Sequence, residues 1–265
     1  MQQQLRQKTL LSEHDPAPVE WVNGANSAPL LLLCEHAGAA IPEALGDLGL
    51  RGVRMDAHRQ TDIGAEALAR AIAERLDAPL LIQRYSRLVI DCNRPVGSPD
   101  SVPKLMDGVR IPANQTDDVQ GRIDEIFAPF DAAMIDGLTR IKPRAAISIH
   151  SFTPRLAGGA DRPWHCGFLS RHDLATAGHL QNSVRENAPN MVLAVNEPYQ
   201  IDDESDWFIP AYAEPQGLFH TLVEVRNDQL DLVRDTVTQR MMGVTELKVP
   251  LIVDTGVGAN WDEAH

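Results

Sequence analysis

Two histidines follow short apolar runs: His36 comes after Leu30-Leu31-Leu32-Leu33-Cys34-Glu35, and His150 after Ala145-Ala146-Ile147-Ser148-Ile149. Imidazole is the commonest protein ligand for zinc, and a catalytic zinc takes about three protein ligands while keeping one position open for water. One histidine after a strand is ordinarily a hydrogen-bonded structural residue, so the signal lies in the pair. A third ligand would be a carboxylate, and both Asp62 and Glu35 are placed to supply it; spacing does not choose between them, and Asp62 also suits a helix cap. Water activated at such a site needs a proton acceptor. Glu224, the acid within Thr221-Leu222-Val223-Glu224-Val225, fits that task, against the plainer alternatives of facing solvent or pairing with Arg226. Arg94, in Asn93-Arg94-Pro95, carries the planar fork that grips a carboxylate through two parallel bonds, unless it is spent on a surface pair with Asp91.

These residues need a scaffold that brings distant segments to one edge. Six apolar runs, at 30–34, 79–82, 88–90, 145–149, 166–169 and 193–195, together with 221–225, alternate with segments of helical period. Continuous apolar strands belong to sheets covered on both faces, so the expected fold is α/β, a three-layer α/β/α sandwich around a mixed, mostly parallel sheet. Open sheets of this kind bind ligands beyond the carboxyl ends of their strands, where Glu35, His36, Asp91, Asn93, Arg94, His150, Ser151 and Glu224 fall. Helices are predicted through Ile63, Leu68, Ile72 and Leu76, through Ile123, Phe127, Phe130, Met134 and Leu138, over roughly 174–186, and through Leu230, Val233, Val237 and Met241. Residues 1–28, broken by Pro16, Pro18 and Gly24, read as an arm, and 29–265 as a single domain. The long stretches 95–115 and 153–165 are expected to rim the pocket.

Composition narrows the function. The chain has 265 residues and a formal charge of −13, which repels polyanions and makes nucleic acid and anionic membranes poor partners. Three cysteines without a Cys-x-x-Cys pair build neither a disulfide framework nor a cysteine zinc finger, and each sits in or beside an apolar run where a thiol is usually inert. No apolar run is long enough to span a bilayer. A cytoplasmic protein acting on a small molecule, as a monomer or small homo-oligomer, is expected. The sequence contains no Gly-x-Ser-x-Gly elbow, no His-Glu-x-x-His and no phosphate-binding loop, and Gly256-Val257-Gly258 lies too near the C-terminus to open a dinucleotide fold.

Six ordered blocks then match a known pattern: Cys34-Glu35-His36-Ala37-Gly38; Thr61-Asp62-Ile63-Gly64-Ala65; Tyr85 through Pro95; Ser148 through Pro154; Trp164-His165-Cys166-Gly167 with Asn196-Glu197-Pro198-Tyr199; and Val223 through Asp228. Over roughly residues 30–245 the sequence resembles the N-formylglutamate amidohydrolase family. The resemblance implies a fold similar to the zinc carboxypeptidases and aspartoacylase-like deacylases, with one zinc per chain. It implies His36 and His150 as metal ligands, Asn93 and Arg94 as the grip on a substrate carboxylate, and Glu224 as general base and acid. The carboxypeptidase-like pattern expects a glutamate three positions after the first histidine, where this chain has Ala39, so Asp62 becomes the expected acidic ligand. Arg87, Ser151, His165 and Tyr199 complete the expected substrate contacts. The implied reaction is hydrolysis of the amide of an N-acyl amino acid, N-formyl-L-glutamate first. Deacylation of another N-acyl amino acid, or a non-catalytic binding module on the same scaffold, are the alternatives.

Overall fold

A computed structural model describes residues 9–26, 28–53, 57–156 and 158–230. Five consecutive apolar residues form β2 (Leu30–Cys34), and its side chains alternate between two cores: Leu31 and Leu33 face one, Leu32 and Cys34 the other. Burial on both faces is what a continuous apolar strand requires. β1 (Val19–Val22), β3 (Leu80–Gln83), β6 (Ala145–Phe152), β7 (Cys166–Leu169), β8 (Leu193–Val195) and β9 (Phe219–Arg226) join β2 in a seven-stranded sheet of order β1-β3-β2-β6-β9-β7-β8. The pairs β3-β2, β2-β6, β6-β9 and β7-β8 are parallel, whereas β1-β3 and β9-β7 are antiparallel. The expected mixed, mostly parallel α/β sheet is therefore present. β4 (Leu105–Met106) and β5 (Val109–Arg110) form a separate hairpin inside the long 95–115 segment, turning at Asp107-Gly108 with positive φ at both residues.

One core lies under a continuous helical stretch: α2 (Gln120–Arg122), a π-helical turn (Ile123–Phe127) and α3 (Ala128–Ile141), which bury Phe127, Phe130, Met134 and Leu138 as the periodicity predicts. The other lies under α1 (Ala65–Leu76), and here the buried face is Ala65, Ala69 and Ala73, while Ile63 and Leu76 stay 40% and 52% exposed. Small residues at helical spacing let α1 settle close to the sheet, so the larger residues expected to make that contact move to its margin. α4 (Leu174–Asn187) follows an Asp173 cap. Among the described residues no helix is long and apolar enough to cross a membrane.

Three expectations are corrected. Leu88-Val89-Ile90 is a buried turn and not a strand: Asn114 Nδ2 donates to Leu88 O at 2.8 Å and Arg122 Nη1 to Val89 O at 2.9 Å, so side chains satisfy the carbonyls that a neighbouring strand would have taken. Asp62 does not cap α1; Gly64 holds the N-cap position at φ 76°, which leaves the Asp62 carboxylate free for the site. The stretch expected as an arm supplies β1, because Val19–Val22 complete the otherwise bare edge of β3. The chain divides into a unit ending at Asn227 and a second from Asp228; beyond Leu230, the predicted C-terminal helix lies outside the described residues.

The strand-end segment after β2 is anchored by close backbone approach. Ala40 N donates to Arg84 O and Ser86 N to Ala40 O, and a β-carbon on Gly38 would lie 1.9 Å from the carbonyl carbon of Arg84. Nothing in that contact is a flexible side chain. Gly38→Ala is therefore expected to cost about 1–3 kcal/mol, typical of overpacking, as a lowered thermal midpoint.

Candidate active site

Three adjacent parallel strands deliver the site to one edge of the sheet. The β2-β6 register pairs Leu33 with Ser148, which places residue 35 level with His150, and the β6-β9 register pairs His150 with Glu224. The segment carrying Asp62 returns to the same edge because Asp62 N donates to His36 O at 2.9 Å and Thr61 Oγ1 bonds the carbonyls of His36 and Ala37, each at 2.8 Å. His36, Asp62 and His150 are all buried, and each offers a donor atom within 4.8 Å of the others. Asp62 Oδ2 lies 2.8 Å from His150 Nδ1 and 3.6 Å from His36 Nδ1, and the two rings meet edge to face with centroids 4.8 Å apart.

The outward nitrogen of each ring is held by its own carboxylate. His36 Nε2 lies 2.7 Å from Asp91 Oδ1, and His150 Nε2 lies 3.2 Å from Glu35 Oε2, whose other oxygen accepts from Ser148 Oγ at 2.7 Å. With a carboxylate behind each Nε2, the tautomer protonated there would leave the two Nδ1 atoms and Asp62 Oδ2 to share a cation, the arrangement found behind metal-ligating histidines. Burial, with the Arg87 cation, holds His36 down to about 4, so its ring is neutral at pH 7. Burial would raise the Asp91 carboxyl, but His36 beside it keeps it below the ordinary carboxylate range. Two imidazole nitrogens and one carboxylate oxygen form a donor set that fits a catalytic divalent metal. Of the two acids open on sequence, Asp62 joins this set and Glu35 stands behind His150.

Glu224 is 6% exposed, and its Oε2 has no hydrogen-bond partner. Burial pushes its carboxyl up to about 7, against the opposing pull of His150. On its other side β7 presents Gly167, where a β-carbon would lie 1.8 Å from Glu197 O; only glycine lets the segment around Glu197 come down beside Glu224.

The remaining predicted residues are placed as follows. Arg87 forms an ion pair with Asp62 Oδ1 and lines a cleft of about 170 Å³ together with Tyr199 and Ser151. Ser151 spends its hydroxyl on Ile63 O at 2.8 Å. Residues from both long segments rim this cleft, including Met106, Asp107, Thr153 and Leu156, and Arg59 on its floor pairs with Asp107 at 2.9 Å. His165 accepts from Val192 N at 3.1 Å and links β7 to the segment before β8, outside the cleft lining. Arg94 is half-buried against Asn93 O, at 3.4 Å. Sequence reasoning missed Asp91 as the His36 partner, Arg162, whose Nη1 donates to Tyr199 Oη at 3.0 Å, and Asp206, which accepts from Asn93 Nδ2 at 2.8 Å. Asp91 was within reach, since it lies two residues from Asn93 in the same block; nothing local marks Asp206.

The model of the N-formylglutamate amidohydrolase family matches residues 28–230. The chain belongs to this family. Among solved structures it is similar to the gene product Atu2144 of Agrobacterium tumefaciens, at 30% identity and TM-score 0.76, covering 88% of this chain and 98% of that one. It shares its fold with an N-formylglutamate amidohydrolase from Ralstonia eutropha, at 18% identity and TM-score 0.59, covering 84% of this chain and 95% of that one. A stretch of 44 residues is 48% identical to DNA polymerase I of Pseudomonas aeruginosa, covering 17% of this chain and 5% of that protein.

Two outcomes are expected. Asp91→Asn removes the charge behind His36 Nε2 and should weaken metal binding roughly 10–100-fold in chelator competition. In metal-free protein, the raised Glu224 pKa contributes stability that is complete below its ordinary value of 4.5 and is lost as pH rises through about 7. Melting with chelator at pH 5 and pH 8 should therefore show Glu224→Gln gaining on the wild type at the higher pH, by no more than roughly 3 kcal/mol.

Proposed function

We propose that the protein is a zinc-dependent amidohydrolase that cleaves the amide of an N-acyl amino acid, with N-formyl-L-glutamate giving formate and L-glutamate. The observation that carries this reading is the row His150–Glu224: a buried carboxylate with an unpartnered oxygen beside a His36/Asp62/His150 donor set. A binding module has no use for a desolvated acid in that position, whereas a hydrolase needs one near neutrality.

In this reading His36 Nδ1, Asp62 Oδ2 and His150 Nδ1 hold the metal, which when bound supplies Lewis-acid activation of water and of the acyl carbonyl. Glu224 Oε2 takes the proton of the attacking water as its oxygen bonds to the acyl carbon. The same oxygen then delivers that proton to the leaving nitrogen as the C–N bond breaks, which accounts for one proton and one carboxylate over the cycle. Arg94 holds the substrate carboxylate, with Asn93 adjacent. Arg59 and Arg87 line the cleft, paired there with Asp107 and Asp62, and Arg162 bonds Tyr199 of the same lining, so guanidinium groups stand where an N-acyl dicarboxylate would enter a chain of net charge −13. Tyr199, steadied by the Arg162 guanidinium 4.9 Å from its ring centre, closes the outer side. A small-molecule substrate in a reducing, cytoplasmic setting agrees with three buried free cysteines.

Glu224→Gln preserves shape and removes the base. It should retain metal at the wild-type ratio in elemental analysis while turnover of N-formyl-L-glutamate falls about 10²–10⁴-fold. Undiminished turnover removes Glu224 from the chemistry, and a wild type that binds metal but hydrolyses no N-acyl amino acid favours the binding-module alternative.

A further inference from the structure

Asn93 is 2% exposed and nearly every polar atom it carries is committed. Its backbone N donates to Asp91 Oδ1 at 2.8 Å, its backbone O accepts from Trp207 N at 3.2 Å, and its Nδ2 donates to Asp206 Oδ1 at 2.8 Å. Oδ1 alone is buried without a partner among the described residues. A buried amide oxygen left unsatisfied is costly, and such atoms in folded proteins generally find a donor. Asp206 fixes which end of the amide is left over: a carboxylate accepts only from the NH₂ group, so turning the amide over would set two acceptors face to face. Asp206 is itself fixed, on a left-handed residue (φ 51°) at the start of the turn in which Ile209 N donates to its carbonyl. The same Asn93 bonds Asp91, which backs His36, so the unfilled oxygen belongs to the frame of the metal-ligand set.

We infer that Asp206 is a positioning residue that orients Asn93 to present its Oδ1 to the substrate, and that the group this oxygen reads is the amide N–H beside the scissile bond. A carboxylate cannot satisfy an acceptor, so Asn93 does not use this oxygen to grip the substrate carboxylate; Arg94 keeps that task. The specificity that results is for secondary amides, with tertiary amides and esters disfavoured because they leave Oδ1 unpaired. This inference rests on the hydrolase reading above.

The test compares kcat/KM for N-formyl-L-glutamate with that for its ester counterpart, 2-(formyloxy)glutarate, in which oxygen replaces the N–H. Asp206→Ala should lower the amide-to-ester ratio about tenfold, the scale of one lost hydrogen bond, with metal affinity near the wild-type value in chelator competition. Asp206→Asn, which keeps an acceptor for Asn93, should restore the ratio. Asn93→Ala removes the reading atom and should lower the ratio whether or not Asp206→Ala folds. Equal loss on both substrates, or an unchanged ratio in Asn93→Ala, overturns the inference and leaves the hydrolase reading intact. A wild type that turns over neither compound overturns both.

Discussion

Two imidazoles and a carboxylate buried around one cation-binding centre keep their orientation when the far nitrogen of each ring is held by a hydrogen-bond acceptor, and here both acceptors are carboxylates. Asp91 behind His36 and Glu35 behind His150 meet that condition, and much of the surrounding structure serves to keep these four groups in place. Glu35 and His36 are consecutive, so one backs the partner ring while the other contributes its own nitrogen; this works because β2 and β6 are parallel and in a register that sets residue 35 beside His150. A one-residue slip would turn every side chain to the opposite face and separate the pair. The Gly38 approach to the Arg84 carbonyl and the Thr61 bonds to the strand-end carbonyls fix the two segments that no strand pairing reaches.

Among the described residues, buried polar atoms without a hydrogen-bond partner include four on residues grouped around the site: Arg87 Nε, Asn93 Oδ1, Thr153 Oγ1 and Glu224 Oε2. In a core such atoms would be defects, since each forfeits hydrogen bonds to water without replacement. Here Arg87 and Thr153 line the cleft, Glu224 stands in register with His150, and Asn93 bonds the Asp91 that backs His36, so the unfilled hydrogen-bonding capacity belongs to the residues around the metal-ligand set. Burial of Glu224 works in the same direction. Desolvation destabilises its charge in the resting protein and moves it toward the protonation range in which a carboxylate can both take and return a proton near neutral pH.

Much of the cleft wall comes from segments outside the sheet. The Asp107-Gly108 hairpin and the 153–156 segment rim the cleft, Tyr199 lines it with the Arg162 guanidinium stacked on its ring, and Asp206 reaches Asn93 from 113 residues away in sequence. The sheet edge carries the His36/Asp62/His150 set and Glu224, whereas these connections form the rim of the cleft.

How much was legible beforehand follows from the range of each interaction. The apolar runs at 30–34, 145–149, 166–169 and 193–195 gave their strands directly, because a short apolar run bounded by turn residues fits a strand in a sheet covered on both faces. His36, Asp62, His150 and Glu224 stood out because residue type limits chemistry: few side chains bind zinc or accept a proton near neutrality. The run Leu88-Val89-Ile90 misled because its apolar side chains record burial, while its backbone partners, Asn114 and Arg122, lie 26 and 33 residues away. The pairing of Asp91 with His36 and of Asp206 with Asn93, the choice between Asp62 and Glu35, and the alanine face of α1 belong to the same class. The sequence by itself determined which elements form and which residues are chemically able to act. Tertiary structure alone decided which carboxylate stands in front of an imidazole and which behind it, since that depends on strand register and on backbone contacts between segments far apart in the chain.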